Sequence, residues 1–247
     1  MKHSEKEHLK ENEVAHALEA ANKSFQENRG QILAIGGGLL ALVVIVGGYT
    51  TWQRSQNDAV SALLAEAMII NEAPVQPPVP PDQTGSGGAT VPTQMPGTYP
   101  TEKAKYEAAL PKFLAAADQA PSSTPGRLAR LNAAGVLVAL GRFDDARAQY
   151  DQLTSGGDLI AKSAMLGKAQ AQIRQGQFDP AIEALKTLST DATSGMPADG
   201  VLLELARAYR VAGKVEDARK TFTEIVEKHA DSPLATTART ELDRLKG

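Results

Sequence analysis

The sequence predicts an all-α protein in which a single transmembrane helix precedes a solenoid of paired helices. Two observations lead to this fold class. An uninterrupted apolar stretch covers 32–49, and a short glycine-containing motif recurs in the second half of the chain, each time after an apolar helical segment. Composition agrees, because alanine is abundant and aromatic residues make up only 4% of the chain. Such a composition is typical of closely packed helices and not of a β-sandwich.

The apolar stretch is long enough to cross a lipid bilayer. It reads ILAIGGGLLALVVIVGGY, and no charged residue stands between Arg29 and Arg54. As a helix, the segment 32–52 would be about 27–31 Å long, which matches the hydrocarbon core. A core helix of a water-soluble protein would show a polar stripe, and this segment has none. We therefore predict a transmembrane helix over 32–52.

Three other interpretations of this stretch fit less well. A cleaved signal peptide would have a shorter charged leader and an A-x-A-like site after Gly48. Gly36, Gly38 and Ala41 match the G-x-G-x-x-A nucleotide pattern, but the segment after them is apolar on every face instead of amphipathic. A fully buried core helix would need a large second layer of structure, which the remaining chain of small alanine-rich helices does not offer.

Small residues recur four positions apart inside the predicted span. Ala34 pairs with Gly38, and Gly37 pairs with Ala41. This spacing lets a second transmembrane helix approach closely and would favour an oligomer. The alternative is that glycine is simply frequent in membrane helices.

Basic residues predict the orientation of the span. Most of those near it come before it, and after it Arg54 stands alone until Lys103. Since Lys and Arg remain on the cytoplasmic side, the tail 1–31 should be cytoplasmic and the large domain outside, in the periplasm of a bacterium. Within the tail, apolar residues at three- and four-residue steps predict a short amphipathic helix over about 11–27.

Helical and low-complexity segments follow the span. Asp58 begins an amphipathic helix that should end near Asn71, within a segment 53–73. Residues 74–100 are rich in proline and glycine, and we predict that they form a disordered insertion. Structure should resume at 101 and continue to 247.

A repeated motif organises the last part of the chain. It reads GRFDDA at 141–146, GQFDPA at 176–181 and GKVEDA at 213–218, so that the glycines are 35 and 37 residues apart. A bulky residue follows each alanine by four positions: Tyr150, Leu185 and Phe222. A period near 34, with glycine at the turn between two antiparallel helices, is the tetratricopeptide pattern. We predict three continuous repeats, one earlier repeat split by the insertion, and a capping helix that begins at Ser232-Pro233.

The order of a charged tail, one span and tetratricopeptide helices resembles the YfgM-like family of ancillary SecYEG translocon subunits. Residues 16–30, HALEAANKSFQENRG, followed at once by the span, are similar to the amino-terminal region of that family. The resemblance implies a plasma-membrane protein beside the translocon, whose periplasmic repeats meet chaperones or secretory chains. The alternative is an assembly factor for another envelope machine, in cell division or outer-membrane biogenesis.

The first helix of each repeat should line a concave groove. A groove that is apolar at one end and cationic at the other would suit an extended or helical segment with an acidic end. The alternative is that the leucines pack inside the solenoid and the arginines are solvated. The side chains predicted to face the groove are Leu128, Leu131, Leu166, Gln170, Arg174, Leu203, Arg207 and Arg210.

The sequence contains no pattern typical of an active site. It has no cysteine, which excludes disulfides, thiolate catalysis and Cys-based metal sites, and it has no G-x-S-x-G or P-loop motif. The net charge is -3, so nucleic acid is not expected as a partner. We therefore expect a binding scaffold, not an enzyme, without cofactor or metal.

Overall fold

The structure is a computed structural model that describes residues 29–78, 94–191 and 195–245, with side chains described from Leu42 onward except at Gln53. A first compact unit ends at Ser55 and a second begins at Gln56. The helices of the described ranges are α1 (Arg29–Glu72), α2 (Glu102–Gln119), α3 (Thr124–Ala139), α4 (Phe143–Asp151), α5 (Leu159–Arg174), α6 (Phe178–Thr190), α7 (Ala198–Val211), α8 (Val215–Lys228) and α9 (Pro233–Arg244). The predicted all-α solenoid is confirmed.

Helices of the second unit pack in chain order. From α2 to α9 each helix contacts the next, and α3 also contacts α5 while α7 contacts α9. The pairs α3–α4, α5–α6 and α7–α8 are the three continuous repeats. The part of α1 after Gln56 packs on α2, with Ala67 in the cluster of Ala109 and Phe113 and Val60 in a second cluster with Ala116 and Ala117, and these two helices form the split repeat.

The turn inside each continuous repeat has one geometry. Gly141, Gly176 and Gly213 adopt φ values of 75°, 76° and 75°. In each case the residue after the glycine donates its backbone N–H to a carbonyl of the last helical turn, at 2.8–2.9 Å. This is the Schellman arrangement, which ends a helix through one residue in the left-handed region. Glycine is favoured there because the Cβ of another L-residue would lie too close to its own backbone in this conformation.

Small residues set how closely the helices approach. Ala146, Ala181 and Ala218, the alanines of the repeated motif, are completely buried, and Tyr150, Leu185 and Phe222 are at most 5% exposed. Gly167 of α5 meets the Tyr150 ring so closely that a Cβ there would lie 2.5 Å from Cζ. The core is therefore built from repeated small-against-large contacts between neighbouring helices.

Polar contacts also repeat between successive turns. Asp144, at the start of α4, accepts a hydrogen bond from the Gln175 amide at the end of α5, at 3.0 Å. One repeat later, Asp179 accepts from Lys214 Nζ at 2.7 Å, and this bond holds the pKa of Asp179 below its usual value. The two contacts join each turn to the next.

The last helix caps the solenoid with one departure from expectation. Ser232 is the N-cap of α9, and its hydroxyl accepts the Leu234 backbone N–H at 3.0 Å, as predicted for a Ser-Pro start. Ala238 is fully buried on the packing face. Glu241, which the periodicity places off that face, is only 7% exposed. Arg244 Nη1 donates to Glu241 Oε1 at 3.3 Å, whereas Oε2 is buried without a hydrogen-bond partner among the described residues and has Arg210 Nε 3.9 Å away as its counter-charge.

The two ends of the proline- and glycine-rich insertion are paired, where the sequence predicts disorder over 74–100. Val75 and Tyr99 form an isolated parallel bridge, in which Gln76 donates to the Tyr99 carbonyl at 2.9 Å and Tyr99 to the Pro74 carbonyl at 3.1 Å. The Gln94 amide adds a bond to the Gln76 carbonyl. Residues 79–93 lie outside the described part of the chain, as does the tail helix predicted over 11–27.

Over the residues whose side chains are described, no helix combines the length and the apolar character that a membrane span requires. Residues 32–41 of the predicted span, with Ala34, Gly37, Gly38 and Ala41, lie outside that set. The backbone of 32–52 is helical throughout, as part of α1.

An exposed ion pair joins the first and second continuous helix pairs at their starts. Nη1 and Nη2 of Arg127 both donate to the Asp158 carboxylate, the latter at 2.8 Å. Asp158 is also the N-cap of α5 and accepts the Ala161 backbone N–H at 3.0 Å. The Arg127 bond, and then the Ala161 bond, lower the pKa of Asp158 from 3.8 to about 2.

Replacing the turn glycine Gly176 by alanine should lower the free energy of unfolding by about 1–2 kcal/mol. No neighbour lies within 4 Å of the added Cβ, so the cost comes from the backbone conformation alone. Gly135→Ala is the matched control, because Gly135 is exposed inside α3 and equally unobstructed. It should raise stability by about 0.5–1 kcal/mol. Urea unfolding of both variants measures this, and equal changes of the same sign would contradict the assignment.

Asp158→Asn should cost stability at neutral pH and progressively less in acid. The folded-state pKa of Asp158 is below its unfolded value, so its contribution is present above about pH 4 and is lost as the pH falls toward about 2. Asparagine retains the N-cap but loses the charge that pairs with Arg127. Thermal unfolding of wild type and variant between these pH values should show the melting-temperature difference shrinking. A difference that does not change with pH would show that the ion pair contributes nothing.

Candidate partner-binding groove

A cavity of about 240 Å³ lies between the first helices of the last two repeats, α5 and α7. The described residues of these helices make little direct backbone contact, unlike α3 with α5 or α7 with α9. The connection 191–197 between α6 and α7 belongs to the longer repeat, in which the glycines are 37 instead of 35 residues apart. The cavity is lined by Val138, Gln170, Ile173, Arg174, Glu204, Arg207, Ala208 and Val211.

Three of the predicted groove residues meet at this cavity: Gln170, Arg174 and Arg207. They come from two different repeats, and the solenoid brings them together because equivalent positions of successive first helices lie side by side. Arg174 is exposed in the last turn of α5, where a cation is favourable for the helix dipole. Among the described residues it has no hydrogen-bond or ion-pair partner.

The cavity is also lined by a carboxylate that sequence reasoning did not identify, Glu204. Glu204 Oε1 accepts from Arg207 Nη1 at 3.1 Å, and Glu204 Oε2 accepts from the Gln170 amide at 3.3 Å. The Glu204 side chain is 26% exposed and that of Arg207 is 39% exposed. Of the three predicted groove residues at the cavity, Gln170 and Arg207 therefore already form a hydrogen bond with Glu204. Glu204 and Arg207 are three residues apart on one helix, and this spacing in the sequence could have predicted that they pair.

A second depression of about 220 Å³ lies at the other end of the repeats and contains Leu131. The end of α1, α2 and α3 surround it, and its lining is uncharged: Asn71, Tyr106, Leu131, Asn132, Gly135, Val136 and Ala139. Asn71 Oδ1 is buried there without a hydrogen-bond partner. The sequence predicts an apolar end of the groove, and the depression there also contains the carboxamide side chains of Asn71 and Asn132.

The remaining predicted groove residues do not line either depression. Leu203 is 5% exposed and belongs to the main hydrophobic cluster, against which the half-buried Leu166 also packs. Leu128 is half-buried on α3, outside both linings. Arg210 points to α9, with Nε 3.9 Å from Glu241 Oε2. Leu203 and Leu166 thus pack against the interior of the solenoid, as in the alternative interpretation of these leucines.

Arg210 and Arg174 should differ in their effect on stability. Arg210→Gln leaves the buried Glu241 with one cation fewer and should lower the free energy of unfolding by about 1 kcal/mol. Arg174→Gln removes an exposed guanidinium that has no partner among the described residues, so only its interaction with the helix dipole is lost and the free energy of unfolding should fall by less than about 0.5 kcal/mol. Chemical unfolding of the two variants tests this. A loss for Arg174→Gln equal to that for Arg210→Gln would mean that Arg174 is a structural residue.

Comparison with known proteins agrees with this geometry. A family model described as "Tetratricopeptide repeat" matches residues 102–158 and 131–197, and a second model with the same description matches 201–232. These matches extend from α2 into the turn after α8. None of the curated proteins compared matches the chain in sequence.

Two solved structures of similar fold contain nearly identical TPR-like repeats from a Podosopora anserina protein provisionally assigned as a kinesin light chain, one of them carrying a single substitution. They are 18% and 19% identical to this chain, with TM-scores of 0.51 and 0.50. Each alignment covers 57% of this chain and 77% of the other. At this identity the similarity concerns the fold alone.

Proposed function

The chain is a tetratricopeptide repeat protein, and we propose that it is a membrane-anchored scaffold for protein–protein interaction. Tetratricopeptide repeats are typical of interaction scaffolds, which expose a concave surface built from successive first helices. Such repeats are typically non-enzymatic, and the proposal assigns no catalytic step to this chain. Fold does not determine function, so the choice of partner must come from the site and from the rest of the chain.

The observation that carries the proposal is the apolar surface of α1. Residues 42–46 are Leu, Val, Val, Ile and Val, and each is between 50% and 68% exposed. Consecutive residues on a helix point in different directions, so this surface surrounds the helix instead of forming one stripe. A lipid bilayer is the environment that favours such a surface. Tyr49 and Trp52, both exposed, follow at the position where aromatic rings meet the membrane–water interface.

The proposed location is the plasma membrane of a bacterium, with 1–31 in the cytoplasm and the repeats in the periplasm. The distribution of basic residues around 32–52 supports this orientation. The resemblance of 16–30 and of the overall layout to the YfgM-like family supports a place beside the Sec translocon. Partners would then be translocon subunits, periplasmic chaperones or secretory chains. A role in another envelope machine is the second candidate, because the same layout suits any docking factor that is held at this membrane.

Site-specific photo-crosslinking in cells tests the location and the partner together. A photoreactive residue at Arg174 or Val211, which line the cavity, should capture translocon subunits, periplasmic chaperones or secretory chains. The captured products should remain in membranes after an alkaline carbonate wash, which removes peripheral proteins. Lys220, exposed on α8 and outside the cavity lining, is the matched control position and should capture little.

Each other outcome has a defined meaning. Capture of components of cell division or outer-membrane biogenesis would support the second candidate. Capture of cytosolic proteins alone would contradict the orientation. A chain that leaves the membrane in the carbonate wash would contradict the anchor.

A further inference from the structure

We propose that the cavity between α5 and α7 selects a protein segment with one carboxylate beside aliphatic side chains, and that Glu204 limits the number to one. This inference rests on the proposed function, since it names the chemistry of the partner at the same groove.

The aliphatic part of the segment follows from the cavity wall. Val138, Ile173 and Val211 contribute side chains without polar atoms, and Val211 is 48% exposed, whereas Ala208 lies behind them and is fully buried. Contact with such a wall is favourable only for apolar groups that leave water as they bind. The wall belongs to three successive repeats, so an occupant that covers it spans α3, α5 and α7.

The carboxylate follows from the charges at the rim. The lining contains two guanidinium groups, Arg174 and Arg207, and one carboxylate, Glu204. Glu204 uses both of its oxygens, one on Arg207 and one on the Gln170 amide. Arg174 remains without a partner in the described part of the chain, so it is the one guanidinium of the lining whose charge no carboxylate of the lining balances. A carboxylate of the partner would form a charge-assisted hydrogen bond to it.

Glu204 also explains why a second carboxylate would be disfavoured. It is held in the lining by donors from two helices, α5 and α7, and cannot turn away without losing both bonds. A second anionic group near Arg207 would face this fixed negative charge at close range, where like charges repel. The resident carboxylate thus acts as an internal counter-ion, and the net charge of +1 that two arginines and one glutamate give the lining matches a single anionic group.

Peptide binding to the full chain in nonionic detergent tests the proposal. The probes are acetylated and amidated ten-residue peptides of leucine, valine, alanine and serine that contain zero, one, two or three aspartates. Wild type should retain the peptide with one aspartate about threefold more strongly than the others. Glu204→Gln keeps the size of the side chain and one acceptor oxygen, removes the negative charge, and should move the optimum to two aspartates. Arg174→Gln should move it to zero.

Glu183→Gln is the matched control. Glu183 is an exposed carboxylate on α6, paired with Lys186 at 2.8 Å and absent from the cavity lining, so the same change in net charge there should leave the optimum at one. Circular dichroism confirms that each variant is folded before it is compared.

Several results would overturn the inference. Retention by wild type that rises steadily with the number of aspartates, or no retention of any peptide, would contradict it. An optimum that shifts equally in Glu183→Gln and Glu204→Gln would also contradict it. So would an optimum that neither Glu204→Gln nor Arg174→Gln moves. If crosslinking from Arg174 captures envelope proteins while the optimum does not respond to Glu204, only the charge-selection inference fails. If the optimum shifts as expected but crosslinking captures only cytosolic proteins, the proposed location fails and the selection holds.

Discussion

The repeat region depends on the close approach of two helices at a fully buried alanine. Ala146, Ala181 and Ala218 each occupy this place in the second helix of a continuous repeat. The distance between packed helices is set by the side chains at their contact, so a methyl group there lets the two backbones come near. The left-handed glycine before each alanine reverses the chain at the correct point for that contact. A bulky residue one turn later then fills the space toward the next repeat, and the core grows by repetition of one interface.

A departure from this regular packing produces the site. α3 packs on α5 and α7 packs on α9, but the described residues of α5 and α7 leave a cavity between them. The repeat at this point is the longer one, and its additional residues fall outside the strictly spaced motif. In a solenoid, each repeat contacts only its neighbours. A change in the packing between two repeats therefore changes the groove at that point and leaves the interfaces between the other repeats as they are.

The charges in the cavity come from residues that local stability does not need. Glu204 and Arg207 are one turn apart on α7, and such a pair contributes little to an exposed helix. Their arrangement gains importance only because α5 places Gln170 and Arg174 opposite them. Arg210, on the same helix, is instead used to balance the buried carboxylate of Glu241. Two arginines three residues apart thus have different roles, one at the cavity rim and one at the cap.

The sequence by itself was sufficient for the helix pairs, the turn glycines, the contact alanines and the capped start of α9, because these depend on short-range spacing and on the backbone preferences of single residues. The apolar stretch 32–49 was likewise evident from the order of residues in the sequence alone. Only the tertiary structure decided which face of each first helix borders a cavity. Helical periodicity places Leu203 and Arg207 on the same side of α7, but the separation of α5 from α7 makes one a core residue and the other part of the lining. The position of Glu204 between Gln170 and Arg207 depends on the same separation, which arises from packing between residues more than thirty positions apart in the chain.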